Sequence, residues 1–414
     1  MPSMTDLFRV FGRIGLLSFG GPAAQIALMH KELVEDRSWL TEDQYLRALS
    51  FCMLLPGPEA MQLATYAGWR LRGVPGGILA GALFVLPGAA VVMALAWIYA
   101  LFGGVPLVEA LFVGIKAAVV IIVLQALLKV AKKALHGIDR WVIAGLAFAG
   151  IFALNAPFPV IIAAAGCWGY FTAKGEAVDS ATVATPNTLR TIAIWGALWL
   201  IPVALASAFA PVLLGPVAQF FSILAVVTFG GAYAVLAYMT QTVVDSYGWL
   251  TTAQMIDALG LAETTPGPLI LVTEFVGFLA GFAQGGAALA FAAALLTLWV
   301  TFIPCFLWIF AAAPYIERLA AHPRIGGALQ AVTAAVVGVI LNLSIWFALH
   351  VFFTDVGRAT LGPIEILAPV VSSVAILPVA LAVLAGALLL VFRWPLLRVL
   401  AVMAGISAGI SLIG

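Results

Sequence analysis

The sequence predicts an all-α polytopic membrane protein with two homologous helical repeats, each containing a helix broken at a Pro-Gly-Pro. Three observations support this fold class. The chain is 64% hydrophobic and only 9% charged, far from the usual composition of a soluble domain. Apolar runs long enough to cross a bilayer recur along its whole length. In addition, a long segment of the first half recurs in the second half with its motifs in the same order.

The internal repeat can be aligned without a gap over 40 residues. Every residue from Phe19 to Pro58 pairs with the residue 210 positions later, and 16 of these 40 pairs are identical. A second block follows at an offset of 217, where Pro87 pairs with Pro304. Related halves with glycine and proline interruptions at corresponding places are typical of secondary transporters. We therefore divide the chain into an N-terminal repeat, 1–210, and a C-terminal repeat, 211–414.

The predicted helices follow the apolar runs. Long runs predict single spans at 74–102, 106–130, 190–210, 217–239, 286–314, 326–353 and 395–413. Shorter runs predict two pairs of short helices, each pair joined at a proline: 141–154 with 158–173, and 364–376 with 378–392. The remaining run, 7–29, is followed by no small-residue cleavage site, so we interpret it as a retained first helix.

Two stretches, 41–55 and 251–265, are too polar to face lipid. Thr41 and Thr251 each follow Trp-Leu and precede a helical pattern, which predicts two N-caps. Each helix then meets a Pro-Gly-Pro, at 56–58 and at 266–268. The first proline disfavours helix in the residue before it, glycine permits a turn, and the second proline suits position N1 of a new helix. At membrane depth such a break must be buried in protein or line a polar cavity.

These breaks predict an anion site. Helices that begin at Pro58 and Pro268 would direct unpaired N–H groups and positive dipole ends at the breaks, so no dedicated basic residue is needed. The plainer interpretation is that each Pro-Gly-Pro only kinks a helix, but two copies at one offset favour a site. The candidate binding residues are those of the breaks and their flanking motifs: Phe19, Gly20, Gly21, Pro56, Gly57, Pro58, Gln62, Phe229, Gly230, Gly231, Thr264, Thr265, Pro266, Gly267 and Pro268.

Ionisable residues in apolar spans need a reason, because each costs about 2.5–3.5 kcal/mol at mid-bilayer. Lys116 is a candidate to counter a bound anion, and its alternative role is pairing with Glu109 or Glu59. Arg13 either faces the anion pathway or extends to the headgroups. Glu59 also fits an ordinary first-turn acid that complements the helix dipole. The candidates for proton coupling are Glu59, Glu263 and Glu274.

Several classes of function lack support in the sequence. The net charge of +1 indicates no nucleic-acid partner. Cys52, Cys167 and Cys305 lie in apolar stretches without metal-ligand spacing, and we expect them to be small apolar filler. We expect no metal or other cofactor. An enzyme is not predicted, since no nucleophile–base pair is visible. A channel and a non-transporting scaffold are less favoured than a carrier.

Basic residues predict the topology. Arg70, Arg72 and the loops at 129–140 and 174–190 should be cytoplasmic. If each broken element crosses the membrane once, each half crosses seven times and the second half is inverted. If the broken elements are re-entrant hairpins, the halves are parallel. The inverted arrangement places the basic loops consistently, and we favour it.

The ordered motifs resemble those of the chromate ion transporter family. The first half carries Gly-Leu-Leu-Ser-Phe-Gly-Gly-Pro at 15–22, Trp39-Leu40, Leu-Pro-Gly-Pro at 55–58 and Gly76-Gly77. Thr-Phe-Gly-Gly at 228–231 and Thr-Thr-Pro-Gly-Pro at 264–268 match the second half of the two-domain members. The resemblance covers about residues 5 to 414.

The resemblance implies a multi-pass protein of the bacterial inner membrane that exports chromate, with sulfate as the isosteric relative. Another oxyanion or a small organic anion is the alternative substrate, and an anion channel is less favoured. The implied partners are chromate or a related oxyanion and the lipid bilayer, with no nucleic acid. A homodimer is an alternative to a monomer.

Overall fold

Helices form most of the chain, as the apolar runs predict. The computed structural model describes residues 2–174, 187–210, 212–229, 232–316, 322–362 and 364–413. The α-helices of the first half are α1 (Met4–Leu17), α2 (Gly21–His30), α3 (Glu42–Cys52), α4 (Glu59–Phe102), α5 (Pro106–Ala134), α6 (Ile138–Leu154), α7 (Phe158–Thr172) and α8 (Thr188–Phe209). Those of the second half are α9 (Leu214–Val227), α10 (Ala232–Gln241), α11 (Thr252–Thr264), α12 (Val272–Ala312), α13 (Pro323–Phe352), α14 (Ile376–Gly386) and α15 (Leu396–Ile413).

Short helical turns extend or precede several of these helices. Turns of π-helix follow α2 (Lys31–Glu35), α10 (Thr242–Ser246) and α14 (Ala387–Val391). Turns of 3₁₀-helix occur at Leu269–Leu271, Ala313–Tyr315 and Val371–Ser373.

The described helices have the length and composition of membrane spans. Six helical segments in this part of the chain are long and apolar enough to cross a bilayer: Glu59–Phe102, Pro106–Ala134, Thr188–Phe209, Leu269–Tyr315, Pro323–Phe352 and Leu396–Ile413. Their outward side chains are large and apolar, as Ile201, Leu205 and Leu295 illustrate. Exposed apolar surface on this scale indicates contact with lipid. The protein is therefore a multi-pass helical membrane protein.

Two predicted single spans are wrong. The run 7–29 forms α1 and α2 with a break between them, and the run 217–239 forms α9 and α10 with a break at the matching place. The Ser18 hydroxyl donates to the Ile14 carbonyl at 2.6 Å, and the Thr228 hydroxyl donates to the Leu224 carbonyl at 2.5 Å. These bonds satisfy carbonyls at the helix ends, where the backbone leaves helical geometry. We name residues 18–20 hinge 1 and residues 228–229 hinge 2.

Helices α4 and α12 each contain a sharp reversal. Arg72 and Gly73 have φ/ψ of −143/25° and 64/−159°, and Gly285 and Gly286 have −154/18° and 68/−159°. A Cβ added to Gly68 would overlap the Gly76 carbonyl, although residues eight apart in a straight helix lie about 12 Å apart. Each helix is therefore an antiparallel hairpin with a short first arm and a long second arm. The predicted spans 74–102 and 286–314 are the second arms.

The offset between corresponding residues changes along these hairpins. The two Pro-Gly-Pro segments are related by 210 positions, whereas Gly73 and Gly286 at the reversals are related by 213. The 3₁₀ turn Leu269–Leu271 supplies the three additional residues, because α12 begins only at Val272 whereas α4 begins at Glu59.

The predicted helix at 364–376 is wrong. This run contributes strand β2 (Ile364–Pro369), which pairs antiparallel with β1 (Val356–Leu361) and places Arg358 opposite Leu367. The run is apolar, but it is too short to be distinguished from a strand by hydrophobicity, and Gly362 takes a left-handed turn beside it (φ 63°). The following helix begins at Ile376. Pro378 thus lies in its first turn, where the missing N–H costs nothing.

The chain folds into two compact units, and each draws segments from both halves of the sequence. Unit 1 comprises Met1–Trp97, Thr172–Val235 and Thr265–Gly327, and it packs α12 against α8 and α9 around buried phenylalanines such as Phe275 and Phe278. Unit 2 comprises Ile98–Phe171, Leu236–Thr264 and Ala328–Gly414. Its α5 packs against α14 and α15, and Gly114 lies directly against the Met403 backbone.

Candidate functional site

The helices before the two Pro-Gly-Pro segments begin as predicted. Thr41 caps α3, since its hydroxyl accepts the Gln44 N–H and the Gln44 side chain accepts the Thr41 N–H, both at 3.2 Å. Thr251 and Gln254 form the same pair of hydrogen bonds, at 2.9 and 3.2 Å, ahead of α11. Both N-caps are thus confirmed, and they set where each helix starts.

The chain leaves helical geometry at both Pro-Gly-Pro segments, which we name break 1 (56–58) and break 2 (266–268). Gly57 has φ of 121° and Gly267 has φ of 88°, a region in which side chains other than glycine are strained. The Pro58 carbonyl accepts the Gln62 N–H at 3.1 Å, and the Pro268 carbonyl accepts the Leu271 N–H at 2.9 Å. Both second prolines are therefore N-caps, and the prediction that they occupy N1 is wrong by one residue.

Each break is hydrogen-bonded to the hinge of the other half of the chain. The Gly57 N–H donates to the Thr228 carbonyl at 2.8 Å, and the Gly267 N–H donates to the Ser18 carbonyl at 2.8 Å. Gly57 and Gly267 are related by the offset of 210, and so are Ser18 and Thr228. The two contacts are therefore the same contact exchanged, and all four residues lie in unit 1.

The second arms of the hairpins also contact the breaks in an exchanged way. A Cβ added to Gly57 would lie 2.9 Å from the Cys305 Sγ, on the second arm of α12. A Cβ added to Gly267 would lie 3.4 Å from the Gly88 Cα, on the second arm of α4. Gly88 and Cys305 are related by the offset of 217 that also relates Pro87 to Pro304. Cys305 is buried as expected, and the space that its side chain fills adjoins break 1.

Two glutamines satisfy backbone carbonyls at the breaks. The Gln62 side-chain amide donates to the Pro56 carbonyl at 2.7 Å, within break 1. The Gln25 amide donates to the Gly267 carbonyl at 2.7 Å and to the Ser18 carbonyl at 3.3 Å, which joins break 2 to hinge 1. Both side chains are buried. Sequence reasoning identified Gln62 but missed Gln25, which lies beside the Phe-Gly-Gly motif and has no glutamine counterpart at 235.

The other predicted residues of the motifs have mixed positions. The Thr264 hydroxyl donates to the Leu261 carbonyl of its own helix at 2.8 Å, so its proton is not directed at break 2. Thr265 is buried and has an interaction partner. Phe19 and Gly20 lie in hinge 1, and Gly21 begins α2. Phe229 lies in hinge 2, whereas Gly230 and Gly231 fall outside the described residues.

Lys116 has a partner that the sequence did not suggest. Its Nζ lies 2.8 Å from the Asp257 Oδ1, and the Tyr99 hydroxyl donates to the other Asp257 oxygen at 2.6 Å, all within unit 2. The expected alternatives, Glu109 and Glu59, are not its ion-pair partner. Asp257 is on α11 at the position that matches Arg47 at the offset of 210. No local pattern in the sequence could have joined residues so distant along the chain.

Arg13 and the three candidate proton carriers differ in their surroundings. Arg13 is mostly exposed and lies 3.4 Å from Glu32, a buried carboxylate that also pairs with Arg37. Glu59 is the first residue of α4, and Glu263 is buried near the end of α11; both interact with neighbouring groups. Glu274 is fully buried in α12. No group of three or more His, Cys, Asp or Glu side chains suited to a metal ion occurs among the described residues.

Comparisons with known proteins agree with the motifs. The family model described as Chromate transporter matches residues 5–170 and 216–410. The chain is 32% identical over 341 residues to a probable chromate transport protein of Synechococcus elongatus, with 82% of this chain and 83% of that protein covered. It is 32% identical over 352 residues to the chromate transport protein of Cupriavidus metallidurans, with 84% and 83% covered.

A shorter relative matches only part of the chain. The uncharacterized transporter YwrA of Bacillus subtilis is 30% identical over 162 residues, which cover 38% of this chain and 91% of that protein. No solved structure matches the chain. Members of the matched family are membrane transporters and not enzymes. Because the family model covers most of its length, the chain belongs to the chromate transporter family.

Proposed function

We propose that this protein is a secondary transporter that exports chromate across the bacterial inner membrane and binds the dianion where break 1 and break 2 meet. The observation that carries the proposal is the exchanged pair of hydrogen bonds, Gly57 N–H to Thr228 and Gly267 N–H to Ser18. Each bond ties the start of a helix in one half of the chain to the hinge of the other half. The chromate transport proteins among its relatives support the choice of substrate.

The donors of the site are the amides that follow each proline. The glycine N–H groups are already used in the hydrogen bonds to the hinges. The N–H groups of residues 59–61 at the start of α4, and those of Leu269 and Ile270 ahead of α12, have no acceptor within their own helices, whereas the Leu271 N–H already donates to the Pro268 carbonyl. Together with the positive ends of the two helix dipoles, they form an electropositive site made of backbone. Such a site suits a tetrahedral dianion, which accepts hydrogen bonds from several directions.

The two repeats, 1–210 and 211–414, are proposed to be related by a two-fold axis. A two-fold axis makes contacts reciprocal, and the contacts of the breaks with hinges and second arms are reciprocal within unit 1. The matching dihedral angles at Gly73 and Gly286 support the same relation. A relative of about one repeat in length, YwrA, also supports it. We place the axis in the membrane plane, as the basic loops favour, so the repeats are inverted.

The membrane potential can drive the export. Moving one charge through 100 mV is worth about 2.3 kcal/mol, so a dianion carried alone out of a negative interior gains about 4.6 kcal/mol. At about 1.36 kcal/mol per decade, this sustains an outward chromate gradient of about three decades. No further energy source is required for export.

Efflux from proteoliposomes tests the proposal. Vesicles loaded with chromate, sulfate, molybdate or phosphate are held at an interior-negative potassium diffusion potential, and release is compared with that from empty vesicles. We expect chromate and sulfate efflux that rises with the potential and saturates with concentration. Absence of chromate flux, with another anion transported instead, would reassign the substrate. Flux that does not saturate would indicate a channel.

A further inference from the structure

Glu274 is a buried acid without a described partner. It lies in the first arm of α12 and is 0% exposed. Neither of its carboxylate oxygens has a hydrogen-bond partner within the described part of the chain. An ionised carboxylate in this position would be very costly, and intramembrane acids are retained mainly where they pair or serve transport. An ionised Glu274 would therefore need a positive charge beside it, and the described side chains do not supply one.

The first arm of α12, which carries Glu274, packs against a stretch of the second arm that contains two buried threonines. A Cβ added to Gly277 would overlap the Thr297 hydroxyl on the second arm, so these two residues face each other. Glu274 lies one turn before Gly277 on the same face, and Thr301 lies one turn after Thr297. Because the arms are antiparallel, this periodicity brings Glu274 to about the level of Thr297 and Thr301. The hydroxyl oxygens of Thr297 and Thr301 are also buried and have no partner among the described residues.

The buried polar residues Glu274, Thr297 and Thr301 are followed by further polar residues next to break 1. Cys305 follows Thr301 by one turn, and its Sγ would be 2.9 Å from a Cβ at Gly57. The Gln62 Nε2 would also lie 2.9 Å from a Cβ at Gly57. The Gln62 side-chain oxygen is buried and has no hydrogen-bond partner among the described residues. We call Gln62, Glu274, Thr297, Thr301 and Cys305 the polar seam. It is a buried row, all in unit 1, that contains several acceptor oxygens and a single carboxylate.

Among the described residues, no charged side chain near α12 pairs with Glu274. In unit 1, α8 and α9 pack against α12, and the long arm of α4 contacts it through Gly81 and Phe306. On these elements α9 carries no titratable residue, and none of the others is hydrogen-bonded to or ion-paired with Glu274: Arg190 on α8, and Glu59, Tyr66, Arg70, Arg72 and Tyr99 on α4. On α12 itself the other titratable residue is Cys305.

We propose that Glu274 and the polar seam bind one coupling cation, a proton or a sodium ion, that travels with the anion held at break 1. One carboxylate with neutral oxygens around it suits a single positive charge. An ionised Glu274 without a bound cation would repel a dianion at break 1. Binding of the cation therefore raises the affinity for the anion, and binding of the anion raises the affinity for the cation by the same factor. This inference rests on the proposed function, and it makes the charge moved per chromate −1 instead of −2.

The first test is chromate binding to purified protein at equilibrium. Wild type is titrated at several pH values with sodium fixed, and at several sodium concentrations with pH fixed; the arm that responds identifies the cation. We expect chromate affinity to fall at least tenfold as that cation is removed. In Glu274→Gln, which mimics a neutral carboxyl, the affinity should not depend on either cation. A wild-type affinity that responds to neither cation, or an equal response in Glu274→Gln, would overturn the inference.

The second test needs only the wild-type protein and covers the case in which the variant does not fold. The potential that stops net chromate flux is measured across a tenfold chromate gradient with pH and sodium equal on both sides. A charge of −1 per cycle gives about 59 mV, and a charge of −2 gives about 30 mV. A value near 59 mV supports the coupling cation, and a value near 30 mV refutes it. Absence of any chromate flux would instead remove the proposed function.

Discussion

Breaks 1 and 2 have the same backbone arrangement but different surroundings. In both, a glycine with positive φ donates its N–H to the opposite hinge, and a proline caps the helix that follows. A Cβ at Gly57 would meet the polar side chains of Cys305 and Gln62, whereas a Cβ at Gly267 would meet the apolar Leu271 side chain and then the Gly88 backbone. In the proposed mechanism both breaks position the anion, and break 1 is the one that the polar seam reaches, through Cys305 and Gln62.

The largest effect is expected from adding a branched side chain at either glycine. Gly57→Val and Gly267→Val should each reduce chromate flux about 100-fold, since both need a backbone that a β-branched residue does not adopt. Flux is measured in proteoliposomes at matched protein content. Gly12→Ala is the control, because nothing lies within 4 Å of its added Cβ. Loss of either protein from the membrane, instead of loss of flux, would support a purely structural kink.

A large stability effect is expected in unit 2, away from the breaks. Lys116→Met should lower the free energy of unfolding by about 3 kcal/mol, because Asp257 is left buried without its cation. The double variant Lys116→Met/Asp257→Asn should recover most of that loss, as measured by thermal unfolding in detergent. If the double variant is stable but no longer binds chromate, Lys116 belongs to the anion site, and a site made of backbone alone is insufficient.

Replacing Gly88 tests how closely break 2 is packed. Gly88→Ala should reduce flux about tenfold, because its Cβ would overlap the Pro266 carbonyl, and a tenfold loss corresponds to about 1.4 kcal/mol. The control is Gly145→Ala, at a helical glycine with open space around it. Equal flux in both variants would mean that break 2 can shift away from Gly88, and the contrast between the two breaks would then be lost.

The two glutamines should differ in a smaller way. Gln25→Ala removes two hydrogen bonds and leaves the Gly267 carbonyl without its donor, although the Ser18 carbonyl keeps the Gly267 N–H; Gln62→Ala removes one bond, to the Pro56 carbonyl. An unsatisfied buried acceptor costs about 1–3 kcal/mol, so the Gln25 variant should lose more stability in thermal unfolding. A larger loss of stability in Gln62→Ala would show that break 1 depends more on its glutamine side chain than break 2 does.

The smallest effects are expected at the two N-caps. Thr41→Ala and Thr251→Ala should each cost about 1 kcal/mol of stability, because each removes one cap of a short helix that leads into a break. The two losses should be equal within error in thermal unfolding, since the hydrogen bonds are the same. A difference well above 1 kcal/mol would show that the helices α3 and α11 are held by different tertiary contacts.

The elements that could be predicted from the sequence are those set by local chemistry. Thr41 and Thr251 are caps because a hydroxyl lies three residues before a glutamine, and the break at Asn155 follows from a residue that accepts left-handed backbone. The hinges in 7–29 and 217–239 were hidden, because hydroxyl groups at Ser18 and Thr228 interrupt a run that remains apolar overall. Hydrophobicity alone could not separate strand β2 from a short helix.

The parts of the candidate site that escaped prediction depend on distant contacts. The Lys116–Asp257 pair, the exchanged hydrogen bonds at the breaks and the contact of Cys305 with Gly57 all join residues far apart in the chain. For the contact of Cys305 with Gly57, the sequence held one signal. It shows that Cys305 corresponds to Gly88, because each follows a proline and the two prolines are related by the offset of 217. The repeat shows which residues correspond, but only the folded chain shows that they exchange partners.

The number of chromate ions bound per chain tests most directly whether both breaks build one site. Radiolabelled chromate is titrated to saturation on purified wild type, Gly57→Val and Gly267→Val, with Gly12→Ala as the control. We predict one ion per chain in wild type and in the control, and none in either valine variant, because each break supplies half of the donors. Two ions per chain in wild type, or one ion retained in each valine variant, would show two independent sites and contradict a shared one.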